Sequence, residues 1–137
     1  MGTKIVVASG YFDPIHVGHL EYLEKAKSLG DKLIVIVNSD NQAGLKKGKA
    51  FMPESERLKI VKALRFVDDV FLSIDKDKTV CKSLEFLKPH IFAKGGDRTS
   101  DEIPEAKICN KLGIKIIDGL GDKIQSSSKL ISDSKKI

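Results

Sequence analysis

Two kinds of apolar pattern alternate along this chain. Residues 4–9 (KIVVAS) and 32–38 (KLIVIVN) are short, β-branched and unbroken, as strands buried on both faces of a sheet are. Between them, residues 17–29 put Leu20, Leu23 and Ala26 at helical spacing, and Gly30 follows as a helix stop. Residues 44–50 (GLKKGKA) read as a loop. Pro53 then opens a helix with Glu54 and Glu56 in its first turn, where the helix dipole favours acids. That helix is expected to bury Leu58, Val61 and Leu64 and to end near Phe66. Further strands are predicted over 69–73 (DVFLS), 90–93 (HIFA) and 114–117 (IKII), and further helices over 79–87, 104–112 and 127–137.

Strands alternating with helices imply an α/β fold. Right-handed crossovers narrow this to a Rossmann-like, doubly wound, five-stranded parallel sheet of order 3-2-1-4-5, with helices on both faces. Residues 1–137 form one domain on this reading. In such a sheet ligands bind beyond the carboxyl ends of the strands, at the switch point beside the first one. That rule picks out two loops, 10–16 and 94–97, before any motif is considered.

Composition changes the picture only modestly. The 137 residues are 41% hydrophobic and 31% charged, the balance of one globular domain. A net charge of +5 invites a nucleic-acid partner, but 21 of the 24 basic residues are Lys and three are Arg. Base readout and stacking lean on Arg and aromatics, and aromatics are 6% with no Trp. The positive field suits small phosphorylated substrates better, so no nucleic-acid partner is expected. Cys81 and Cys109 lack metal-ligand or redox spacing and read as reduced thiols. With no apolar run near ~20 residues and no signal-like start, the expectation is a cytoplasmic protein without a membrane partner.

The loop after the first strand carries the chemistry. It reads Gly10-Tyr-Phe-Asp-Pro-Ile-His-Val-Gly-His19, and holds two of the three histidines. Spaced by three on an opening helix, His16 and His19 share one face over its N-terminus. Free N–H groups there bind anions, imidazoles add directed donors, and Gly18 lets a phosphate approach the backbone. A metal pair would need a third ligand, and none stands at suitable spacing.

This loop resembles that of the HxGH nucleotidyltransferases, GxFDxxHxGH, with every fixed position filled by Gly10, Phe12, Asp13, His16, Gly18 and His19. The likeness is to the small cytidylyltransferases acting on glycerol 3-phosphate and to the heptose-1-phosphate adenylyltransferase domain. It implies that His16 and His19 are catalytic and hold the α- and β-phosphates of a nucleoside triphosphate. Gly10, Tyr11, Phe12, Asp13 and Gly18 would line the nucleotide. The resemblance further implies a phosphate-binding lysine in 44–50, Lys46 or Lys47, with Lys46 favoured. Arg57 would face the active site, and Asp13, Asp40 and Lys46 would join it at the acceptor.

Two later stretches complete the resemblance. Lys94-Gly-Gly-Asp97 is similar to the KGGD of the heptose enzymes, so Lys94, Gly95 and Asp97 would contact the nucleotide. Gln125-Ser-Ser-Ser128 stands where similar enzymes carry ISTT or CSTT, placing Gln125, Ser126, Ser127 and Ser128 on the β- and γ-phosphates. The chain departs from the glycerol-phosphate enzymes just before this, with Gly119-Leu-Gly-Asp-Lys123 in place of Arg-Thr-Glu-Gly. The implied activity is transfer of CMP or AMP from CTP or ATP, with Mg²⁺, to a small phosphorylated polyol or sugar. The family also implies a homodimer. The alternatives are a cofactor-precursor acceptor such as FMN or phosphopantetheine, and a non-catalytic nucleotide or nucleic-acid binder whose affinity would be strongly salt-dependent.

Overall fold

The computed structural model describes residues 3–94 and 104–117, the side chains of Lys46 and Lys47 excepted. Five strands, β1 (Ile5–Gly10), β2 (Lys32–Val37), β3 (Asp69–Leu72), β4 (Ile91–Ala93) and β5 (Lys115–Ile117), form one sheet in the order β3-β2-β1-β4-β5. Every neighbouring pair is parallel. This is the architecture expected from the sequence. It follows because a central parallel strand is buried on both faces and needs an unbroken apolar run.

The helices divide between the two faces. On one, α1 (Val17–Lys27) and α3 (Glu54–Lys62) pack Leu23, Ala26 and Val61 against Val6, Ala8, Val35 and Val37. On the other, α4 (Cys81–Leu87) and α5 (Glu105–Leu112) pack Leu84 and Cys109 against Val7, Ile36 and Phe92. Asp75 fixes the start of α4 by accepting from the amides of Lys82 (2.7 Å) and Ser83 (2.9 Å). His90, just before β4, accepts the Ile5 amide on Nδ1 at 3.0 Å and so locks the first rung between β1 and β4. Among the described residues, no helix is long and apolar enough to cross a membrane.

Three local expectations need correction. Residues 44–47 are not loop: α2 (Asp40–Lys47) runs through them. It starts from a capping box in which Ser39 accepts the Gln42 amide and Gln42 accepts the Ser39 amide. Nor is Gly30 a left-handed helix stop, because α1 already closes at Ser28. Its bareness serves close approach instead: a Cβ there would lie 2.7 Å from Val6 Cγ2 and 2.8 Å from the Lys4 carbonyl. Finally, α3 ends at Lys62, short of Phe66. Leu58, Leu64 and Phe66 are only partly buried against the core, while Arg57 and Val61 are the residues it buries. The helix expected over 127–137 lies outside the described residues.

Candidate active site

β1 delivers the chain to the switch point at Gly10, whose carbonyl accepts the Asn38 amide at 2.9 Å. The turn that follows carries Phe12 at a φ of +52° with its ring buried. A Cβ on Gly10 would stand 2.9 Å from Phe12 Cζ, so the ring occupies the space that only glycine leaves. The same ring meets His19 edge-on, with centroids 5.0 Å apart.

His16 and His19 stack at the N-terminus of α1, centroids 3.8 Å apart and 26° from parallel. They form the helix's capping box themselves. His16 Nδ1 accepts the Gly18 amide at 3.1 Å, and His19 Nδ1 accepts the His16 amide at 3.0 Å. An Nδ1 that accepts carries no proton, so each neutral ring holds its hydrogen on Nε2. Burial, and then the neighbouring His16, push the His19 pKa down to about 4; burial lowers that of His16. Both imidazoles are therefore neutral at pH 7, each carrying its one N–H on Nε2.

A second group of residues ties this loop to β2, α2 and α3. The Asp13 carboxylate accepts the amides of Phe51 (2.7 Å) and Met52 (2.6 Å), just ahead of α3. Arg57 is 1% exposed. Its Nε donates to the Met52 carbonyl at 2.9 Å and its Nη1 to the carbonyls of Tyr11 (2.8 Å) and Asn38 (2.7 Å). Nη2 reaches Asp40 at 2.6 Å. The family resemblance implies Arg57 at the acceptor, whereas an arginine in the first turn of a helix is more commonly exposed. The structure rules out an exposed residue, because the guanidinium is buried and bonded to three main-chain carbonyls and the Asp40 carboxylate. Asp40 is half-exposed, and its amide donates to Glu54 at 2.7 Å. Gln42 is a residue that sequence reasoning missed. It is fully buried and bridges Ser39 and Asn38 to the carbonyls of Asp77 and Thr79. The Ser39-x-x-Gln42 spacing was its signal. The Tyr11 hydroxyl lies over α2, 3.4 Å from the Gln42 carbonyl, and burial raises its pKa.

On the far wall, the Lys94 amide donates to Ile117 at 2.7 Å, and its ammonium lies 5.7 Å from the centre of the Phe92 ring. Gly95, Asp97, Gln125, Ser126, Ser127 and Ser128 lie outside the described residues, as does the side chain of Lys46. The thiols are not poised as nucleophiles. Burial, with Glu105 nearby, pushes Cys109 up to about 12, and burial raises Cys81.

Comparison with known proteins bears on this arrangement. Residues 7–132 match the cytidylyltransferase-like family model. The chain is 43% identical over 112 residues to an FAD synthase of Ferroglobus placidus, covering 82% of this chain and 72% of that protein. It is 36% identical over 127 residues to the bifunctional protein HldE of Hahella chejuensis. That match covers 91% of this chain, which spans only about a quarter (24%) of HldE. Among solved structures, a lipopolysaccharide core biosynthesis protein from Thermoplasma volcanium superposes with a TM-score of 0.73 at 31% identity, over 85% of this chain and 96% of that one.

Proposed function

The chain belongs to the cytidylyltransferase-like family, and from that premise we propose that it is a nucleotidyltransferase moving AMP or CMP from ATP or CTP to a phosphorylated sugar or polyol. A phosphate oxygen of the acceptor attacks the α-phosphorus in line. The new P–O bond forms as the α–β bridging bond breaks, and pyrophosphate leaves with that electron pair. The observation that carries this reading is the stacked histidine pair at the helix N-terminus, with each Nδ1 accepting a backbone amide so that the ring proton sits on Nε2. Neutral, fixed donors at a dipole's positive end stabilise the growing charge on the α- and β-phosphates without reorganising.

The donor set suits a metal carried by the substrate. Both Nδ1 atoms and both Asp13 oxygens accept backbone amides. Mg²⁺ would be held by phosphate oxygens and water and would neutralise triphosphate charge. Arg57 and Asp13 then act on the loops rather than on the reacting atoms. They hold the ends of β1 and β2 and the start of α3 in one frame.

The test is pyrophosphate release with Mg²⁺, pairing ATP and CTP with sugar 1-phosphates, polyol phosphates and FMN. Release with a sugar or polyol phosphate is the expected result. His16→Ala or His19→Ala should then cost about 10²–10³ in turnover, and an unchanged rate in either refutes the mechanism. FMN is the second acceptor to try, because the FAD synthase matches most of both chains. A cytoplasmic homodimer belongs to the same proposal and is checked by sedimentation of the purified protein.

A further inference from the structure

We propose that Tyr22 is a positioning residue that sets the spacing between the ends of β1 and β4 and the seat of the histidine helix. Tyr22 lies on α1, three residues after His19, and is buried. Its hydroxyl accepts the Ser9 amide at 3.1 Å and donates to the Ala93 carbonyl at 2.5 Å. The pairing of β1 with β4 ends at Ala8 and Ala93. The hydroxyl therefore stands where these two strands part, which is where the crevice opens. Ser9 is one residue from Gly10, and Ala93 is one residue before Lys94. One oxygen thus joins the base of the histidine loop, the base of the Lys94 loop and the helix that carries His16 and His19.

Chemistry favours a tyrosine here. The ring fills the apolar layer between α1 and the sheet, beside Ala8 and Ala93, and its hydroxyl supplies one donor and one acceptor to two buried main-chain groups. Burial raises the phenol's pKa, so the donated proton stays in place throughout the working pH range. Removing the oxygen leaves the Ser9 N–H and the Ala93 C=O without their bridge. Either both lose a partner, or the strand ends draw together to pair directly. In both cases the strand ends move relative to His19, and a misplacement of about 1 Å can cost about 10²-fold in turnover.

The inference rests on the reading that the crevice takes a nucleoside triphosphate. The decisive variant is Tyr22→Phe, assayed by pyrophosphate release at a temperature where it stays folded. Its comparator is Ser83→Ala, which removes a buried hydroxyl that donates to Asp75 at 2.8 Å on the opposite face of the sheet. Both should lower the melting midpoint. Only Tyr22→Phe should reduce kcat/KM for the triphosphate, by about tenfold, with the acceptor KM within about twofold. Imidazole nitrogen spectra give a readout independent of turnover: His19 signals should shift in Tyr22→Phe while those of His90 stay. Kinetics within twofold of wild type, equal losses in both variants, or unmoved His19 signals overturn the proposal. A wild type that releases no pyrophosphate refutes the proposed function, and the His19 spectra alone then decide the role of Tyr22.

Discussion

Replacing Arg57 with Met separates a guanidinium that holds loops from one that holds a ligand. Met keeps most of the stem's volume and removes all four hydrogen bonds. The Asp40 contact contributes little, because that carboxylate is 45% exposed and such pairs are worth about 0–1 kcal/mol. The Asn38 carbonyl belongs to a residue only 4% exposed and would lose its cationic donor for roughly 1–3 kcal/mol. The Tyr11 and Met52 carbonyls are nearer solvent and cost about 1 kcal/mol each. Part of this is offset because a buried cation no longer has to be desolvated. The net loss is about 3 kcal/mol, or roughly 10 °C in melting midpoint for a chain of this size. Asp40→Asn should lose under about 1 kcal/mol. Thermal and urea unfolding read both values. A midpoint within about 2 °C of wild type, joined to a hundredfold loss of turnover, would show that the guanidinium serves the ligand and would refute the argument.

Gly10→Ala places a methyl 2.9 Å from the buried Phe12 ring and should cost about 1–3 kcal/mol. Turnover should fall with it, since that ring abuts His19; wild-type melting and rate would show that the ring yields freely. The histidine pair also predicts acid sensitivity. Folded His19 titrates near 4 and an unfolded imidazole near 6.5, so between those values the unfolded chain binds a proton that the folded chain refuses. The stability His19 leaves intact above pH 6.5 is lost as pH falls to 4, by roughly 3 kcal/mol. His19→Gln keeps a residue able to complete the capping box. The stability gap between wild type and this variant should therefore move in the variant's favour by that amount from pH 7 to pH 4, and a flat difference curve would contradict the assigned burial.

The sheet was legible because its strands are doubly buried: KIVVAS and KLIVIVN have no polar face to confuse the period. The placing of His16 and His19 together at the N-terminus of α1 was legible from their spacing, whereas their stacking and their capping of the helix were not. α2 was not. Asp40–Lys47 has a glycine at its centre and no apolar stripe, so only its Ser39–Gln42 cap announces it. The burial of Arg57 was not legible for a general reason, since a buried arginine looks like an exposed one in sequence. Its burial depends on three carbonyls converging from Tyr11, Asn38 and Met52, a property of where loops end. Asp13 shows the same limit: nothing in its sequence context announces that its oxygens accept two amides from 38 and 39 residues away.

On the proposed mechanism, the histidine capping box couples two selective pressures, catalysis and helix capping, in one pair of side chains. A descendant released from catalysis could not drift freely at these positions, because helix α1 would still need its first turn closed. Decay should run toward residues that cap without donating to phosphate: Ser, Thr or Asn at 16 and Glu or Gln at 19. A pseudoenzyme of this lineage would then be recognisable by an ordinary capping box standing where HxGH had been. Its stability should survive the exchange, because the first turn of α1 would remain closed.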